Sequence, residues 1–281
     1  MLISSVQNPR VKAAARLRER SGRNDQGRII IDGVREIGRA LDAGLEVVEV
    51  YVFRELCTDE PHERLLTSVE RAGVEQVEVA RQVMEKLAFG NRVEGIVAVA
   101  KPPKKELVDW KPAGDALVAV VEGAEKPGNL GAILRTADAA GVSAVIVADG
   151  GTDLYNPNAI RASLGAIFTV PTFSTTSAAV LDWLRKEKFR IFGARVDGSV
   201  EYTEVDFAGR TAIALGSEAH GLSAEWHAPE VNPIRVPLVG SVDSLNLSAT
   251  AAVLFYEALR QRGQPSSHAL RGNPTPAAPR P

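Results

Sequence analysis

Cysteine is almost absent from this 281-residue chain. Cys57 stands alone, which excludes an internal disulfide framework and a cysteine-built zinc site. The chain holds four histidines, and no histidine or cysteine spacing suggests a cluster, so no metal is expected. A reducing, cytoplasmic setting fits this usage. Long apolar runs are also missing. None reaches the ~18 residues of a membrane span, and the start, MLISSVQNPRVK, lacks the apolar stretch of a signal peptide. No membrane association is expected. Aromatics make up 5% of the chain, so stacking platforms for bases are scarce. Neither G-x-G-x-x-G nor G-K-[ST] occurs, which removes the dinucleotide fingerprint and the P-loop. A net charge of −2 rules out a generic polyanion binder.

What is present is an ordinary globular composition, 45% hydrophobic and 24% charged, at a length that suits about two domains. Basic charge gathers at the start, with Arg10, Lys12, Arg16, Arg18, Arg20, Arg23 and Arg28 against Glu19 and Asp25, a patch able to contact phosphates. Hydrophobic periodicity predicts a helix over 7–20, strands over 29–32, 47–53, 77–79 and 96–100, and helices over 33–43, 65–72 and 80–87. Lys101-Pro-Pro-Lys-Lys105 then resists both helix and central strand. A second α/β unit follows. Its strands are expected at 117–121, 144–148, 190–194, 211–215 and 234–239, with a helix over 130–139 and a last helix over 246–262. Strands alternating with helices, several apolar throughout, predict a mostly parallel sheet covered by helices on both faces, plus a smaller N-terminal α/β domain. The expected division is a first domain over 1–100, a link over 101–112, a second domain over 113–262 and a disordered tail over 263–281, where five prolines accumulate.

Three loops follow strands of the second unit, where open α/β sheets bind ligands. The first, Glu122-Gly-Ala-Glu-Lys-Pro-Gly-Asn-Leu-Gly, leads into a helix carrying Arg135. Taken alone, Asn129 reads as a helix cap and Arg135 as a surface ion-pair partner. The second, Leu215-Gly-Ser-Glu-Ala-His-Gly-Leu-Ser223, can present backbone amides and the Glu218 carboxylate, while His220 reads as a solvated loop histidine. In the third, Ser244-Leu-Asn246 sets two polar side chains on one side of a short extended stretch, though either could simply cap the last helix.

The pieces N-L-G-A-I-L-R-T-A, L-G-S-E-A-H-G-L-S and S-L-N-L-S-A-T-A-A, in this order and spacing, resemble the three motifs of the SpoU-type (TrmH-like) RNA ribose 2′-O-methyltransferases of the SPOUT class. The resemblance covers about 117–260. S-V-Q-N-P-R-V-K and I-I-I-D-G-V-R-E are similar to the substrate-binding domain often fused ahead of it. One departure is Leu238, where the family often has Met. The resemblance implies a deep trefoil knot and S-adenosyl-L-methionine held by Leu215, Gly216, Ile234, Leu238, Ser244 and Leu245. It implies catalytic roles for Asn129, Arg135, Glu218, Ser244 and Asn246. The family assigns removal of the hydroxyl proton to the arginine. A guanidinium with a pKa above ~12 is better suited to holding a phosphate and stabilising a developing alkoxide. RNA is the implied partner, with 23S rRNA favoured over tRNA. A non-catalytic RNA-binding protein of the same fold is the alternative. Phe89 with Gly90, Asn91 and Arg92 is a candidate RNA contact, with a core anchor equally open for Phe89. A homodimer is expected, because the last helix carries two apolar stripes, Leu247/Ala251/Leu254/Ala258 and Ala252/Phe255/Leu259.

Overall fold

The computed structural model describes residues 2–90, 93–151, 153–197 and 200–263. The first module runs α1 (Pro9–Arg16), α2 (Arg20–Gln26), β1 (Ile29–Asp32), α3 (Val34–Asp42), β2 (Val47–Val52), α4 (Glu60–Arg71), β3 (Glu75–Glu78), α5 (Arg81–Leu87) and β4 (Ile96–Ala100). Its sheet has the order β1-β4-β2-β3. β4 runs antiparallel to both neighbours, and only β2–β3 is parallel.

The second module runs β5 (Leu117–Glu122), α6 (Pro127–Ala139), β6 (Ala144–Ala148), α7 (Pro157–Ala162), α8 (Ala166–Thr169), β7 (Thr172–Thr175), α9 (Ser177–Lys186), β8 (Arg190–Ala194), β9 (Val200–Glu201), β10 (Thr211–Leu215), β11 (Val231–Arg235) and α10 (Leu247–Gln261). Its seven strands have the order β7-β6-β5-β10-β8-β11-β9, and every pairing is parallel. The expected α/β class is therefore met. Alternation along β5 explains why its residues are all apolar. Leu117, Ala119 and Val121 enter one core with residues of α6 and α10, while Val118 and Val120 enter the opposite core with α9. Strand order reverses between β5 and β10, and that switch opens a crevice beyond their carboxyl ends.

The modules share one apolar core. Ile31, Ile37 and Ala40 of the first belong to the same buried cluster as Ile133, Ile160 and Phe168 of the second. Segment 101–116 packs onto the second module, where Trp110 stacks on Trp183 at 5.5 Å.

The basic N-terminal patch is largely spent inside the molecule. Arg10 pairs with Glu49 and Glu75, Arg16 with Asp25, and Arg18 with Asp32. Arg20 donates to the Gly151 carbonyl at 3.0 Å. Arg23 is 5% exposed and grips Asp153 at 2.7 Å. Phe89 is an anchor of the same seam. The Arg18 and Arg161 guanidiniums lie 5.5 and 5.8 Å from its ring, and its carbonyl accepts from Arg161. Arg18 Nε and Nη1 have no hydrogen-bond acceptor among the described residues, and the ring partly compensates them. Asn91, Arg92 and the tail from 264 lie outside the described residues.

Four local expectations need correction. The helix expected over 7–20 is two helices broken at 17–19, because Leu17 folds into the core and the polar α2, RSGRNDQ, has no apolar period to reveal it. α4 begins at Glu60 rather than 65, capped by Asp59, with Pro61 in its tolerant first turn. β11 occupies 231–235 rather than 234–239, since Pro237 stops it while Pro233 is tolerated within the pairing with β8. Phe255 is fully buried by this chain, so the second stripe of α10 does not stand free as expected. What remains outward is Tyr256, 50% exposed, with partly buried Ala252 and Leu259.

Candidate active site

β5 and β10 deliver two loops to the crevice, and α10 delivers a third group. α6 starts at Pro127 with Lys126 at its cap position, where its side chain bonds no backbone N–H of the helix. Asn129 is therefore not the cap. Its amide points away from its own helix and donates to Glu218 Oε1 at 2.9 Å. Asn246 is a cap, and more. Its Oδ1 accepts from the Ser248 N–H at 2.9 Å to start α10, while its Nδ2 donates to the same Glu218 Oε1 at 2.7 Å and lies 3.5 Å from Asn129 Oδ1. Lys126 Nζ reaches Glu218 Oε2 at 3.1 Å. One carboxylate thus gathers three segments far apart in sequence. The Lys126 ammonium, joined by a Leu247 backbone N–H and the Asn129 amide, holds the Glu218 carboxyl below the usual carboxylate range against a small burial penalty.

Glu218 is aimed by a tight loop. Ser217 and Gly221 exchange backbone bonds at 3.1 and 2.9 Å, and the His220 N–H donates to Ser217 Oγ. Gly216 is required here. A Cβ on it would stand 2.0 Å from the Gly221 carbonyl carbon and 2.2 Å from Leu222 N, both backbone atoms that cannot turn aside. Gly131 has another purpose, since a Cβ there would meet Ala162 Cβ at 2.5 Å where α7 crosses α6.

Beside this loop lies a cavity of about 410 Å³, walled by Leu215, Val236, Leu238 and Leu247 and edged by Ser244, Leu245, Ala194 at the end of β8 and the following loop residues Arg195 and Val196. Of the expected cofactor residues, Leu215, Gly216, Leu238, Ser244 and Leu245 line it. Ile234 does not. It is fully buried in β11, and its carbonyl accepts from Arg195 N at 2.8 Å. A smaller cavity of about 210 Å³ opens on the other side of Glu218, bounded by Gly123, Lys126, Asn129, Ser217 and Leu247.

Of the expected catalytic residues, Asn129, Glu218 and Asn246 meet. Ser244 is exposed at the rim of the larger cavity. Arg135 stays apart. It lies six residues beyond Asn129, about 9 Å along the helix and on another face, exposed and without a hydrogen bond or ion pair among the described residues. Sequence reasoning missed Lys126, Leu247 and the β8 loop. The rule that ligands gather at the carboxyl ends of parallel strands, applied to β8 as well, points to the last of these.

A second glutamate ends the neighbouring strand. Glu122 Oε1 accepts from Ser177 Oγ at 2.6 Å, Ser223 Oγ at 2.8 Å and Trp226 Nε1 at 3.0 Å, and its Oε2 accepts from Ser223 N at 2.7 Å. Its carboxylate lies within 4.8 Å of those of Asp149 and Glu225. Both Glu122 oxygens are already taken by protein donors.

The same segments match known families. Residues 116–256 match the SpoU rRNA Methylase family, and 8–98 match the MRM3-like substrate binding domain. The chain belongs to the SpoU rRNA methylase family. It is 30% identical to the 23S rRNA (uridine(2479)-2′-O)-methyltransferase of Streptomyces viridochromogenes, over 88% of each chain. A solved structure of an RNA 2′-O ribose methyltransferase superposes with a TM-score of 0.82 at 41% identity, covering 93% of this chain and 99% of that one. The SpoU methyltransferase AviRb from Streptomyces viridochromogenes, solved in complex with AdoMet, superposes with a TM-score of 0.82 at 28% identity, covering 91% of this chain and 98% of that one. Within this SpoU methylase, the Glu218 cluster and the larger cavity both fall inside the 116–256 match.

Proposed function

We propose that this SpoU methylase transfers a methyl group from S-adenosyl-L-methionine to a ribose 2′-hydroxyl of 23S rRNA. The observation that carries the reading is a carboxylate, Glu218, held by two amides at the edge of a largely apolar cavity of about 410 Å³. That volume lies in the ~300–1,000 Å³ range of small-molecule sites. Leucine and valine walls suit an adenine, and the backbone of the 215–221 loop offers polar groups at the rim. The AdoMet seen with AviRb and the rRNA named for the Streptomyces viridochromogenes relative support cofactor and substrate. When bound, the cofactor supplies an electrophilic methyl carbon on a sulfonium.

The chain's own residues orient the acceptor. Asn129 and Asn246 fix Glu218, whose carboxylate is a hydrogen-bond acceptor for the hydroxyl. Ser244 stands at the rim of the larger cavity, on the cofactor side. Arg135, without an internal partner among the described residues, offers its charge to a substrate phosphate. The N-terminal module is read as the RNA-selecting unit, supported by its substrate-binding match. We further read the protein as a cytoplasmic homodimer. Exposed Val239, Val242, Leu245 and Tyr256 around α10 support the pairing, and no helix among the described residues is long and apolar enough to cross a membrane. The return of α10 onto α6 after β11 supports a knotted path.

The test is transfer of labelled methyl from the cofactor to a full-length, unmodified 23S rRNA transcript, followed by mapping of the product. A transcript rebuilt with a 2′-deoxy sugar at the mapped nucleotide is expected to bind and to accept no methyl. Incorporation near the normal rate into the deoxy RNA would move the chemistry to the base and overturn the ribose assignment.

A further inference from the structure

The smaller cavity raises a question that the cofactor and the amide pair leave open: what Lys126 is for. Its side chain is 72% exposed. An ion pair this open adds about 0–1 kcal/mol to stability. Glu218 does not need it for alignment, because Oε1 is already held by both Asn129 and Asn246. The two oxygens of Glu218 therefore differ. Among side-chain donors, Oε1 takes both amides and Oε2 takes Lys126 at 3.1 Å, with the Leu247 backbone N–H a further donor to the carboxylate. Lys126, the partner of Oε2, bounds the 210 Å³ cavity together with Asn129, Glu218 and Leu247. That cavity shares Ser217, Glu218, Ala219 and Leu247 with the larger one, so a group within it is next to whatever fills its neighbour.

We infer that the Lys126–Glu218 ion pair is a resting contact that opens when RNA arrives, the Lys126 ammonium moving to a phosphate of the target nucleotide while Oε2 of Glu218 is left free to accept a hydrogen bond from the ribose hydroxyl. This rests on the reading of the larger cavity as the cofactor site. The chemistry fits both halves. A lysine is a flexible point charge suited to a phosphate oxygen, and moving it from one anion to another keeps its charge satisfied throughout. A carboxylate beside an arriving phosphodiester would otherwise repel it, and Lys126 lies between the carboxylate and open solvent. The device makes the acceptor oxygen available only when a phosphate is present to take the lysine.

The test compares wild-type protein with Lys126→Ala and Lys126→Arg. Equilibrium binding to the unmodified 23S rRNA transcript is measured across a salt series, and cofactor affinity is measured by calorimetry. A phosphate contact contributes about 0.7–0.9 to the slope of log K against log salt. Lys126→Ala is expected to lower the slope by that amount, weaken RNA binding several-fold and leave cofactor affinity within about two-fold. Lys126→Arg is expected to restore the slope. A merely structural lysine would not change the salt slope. An unaltered slope and RNA affinity in Lys126→Ala, with wild-type protein methylating the transcript, would overturn the inference alone. Failure of the wild-type protein to bind cofactor would overturn the proposed function and this inference together.

Discussion

Two glutamates at the ends of adjacent strands show how one side chain serves two ends. Glu122 closes β5 and is 6% exposed, and its donors are two serines, a backbone amide and a tryptophan. Glu218 follows β10, its side chain is 30% exposed, and its donors are a lysine, two asparagines and the Leu247 backbone N–H. Both carboxylates collect distant segments. The first has both oxygens committed to protein donors, the buried Ser177 and Trp226 and the exposed Ser223, so it ties α9 and the 223–226 turn to the sheet. The second is more open, borders the larger and the smaller cavity, and has one oxygen paired with an exposed lysine. Burial separates a carboxylate that holds the fold from one placed for chemistry.

The comparison breaks most sharply at Glu122. Glu122→Ala should destabilise the protein by about 2–4 kcal/mol in urea titration, because the buried Ser177 hydroxyl and Trp226 indole lose their charged acceptor and the Ser223 turn loses its tie to the sheet. A stability loss under about 1 kcal/mol would show that the network is not holding the module together.

At the second glutamate the expected loss is in rate. Glu218→Gln, and separately Arg135→Ala, should each lower methyl transfer about 10²–10³-fold, the range seen when one oriented electrostatic group is removed. Melting temperature and cofactor affinity should stay close to wild type. Turnover near wild type in either variant would remove that residue from the site, and a large drop in melting temperature for Glu218→Gln would erase the contrast with Glu122.

The smallest effect is on pH dependence. The Glu218 carboxyl sits below its ordinary range in the folded protein, chiefly through Lys126. The ion pair is therefore complete at neutral pH and is lost as pH falls through that lowered value. The acidic limb of kcat/KM, which reports the free enzyme, is expected below the usual glutamate range, and Lys126→Ala should move it upward. An acidic limb that does not respond to Lys126 would separate it from Glu218.

Much of the fold was legible because the parallel strands are apolar on both faces. The strands at 144–148, 190–194 and 211–215 carry enough branched and small apolar residues to stand out from their flanks. β7, with Thr172, Ser174 and Thr175, and the two-residue β9 lie at the sheet edges and carry no such signal. α2 is polar throughout and is held by tertiary ion pairs rather than by its own pattern. The site was legible in part. Asn129, Glu218 and Asn246 were named, but the asymmetry of the Glu218 oxygens arises from the crossing of three segments, which spacing does not encode. Lys126 was passed over because a lysine beside a Pro-Gly turn looks like any surface charge. Arg135 was grouped with the others by motif, whereas the helix turns it to another face.

The seam between the modules has a consequence for substrate choice. Arg23, buried against Asp153, and the shared core bolt the first module to the β6–α7 loop beside the crevice. On the proposed division of labour, the first module then works as a ruler rather than as a tethered hand. Whatever RNA feature it grips is held at one set span from Glu218, and a nucleotide is chosen by its distance from that feature as well as by its own identity.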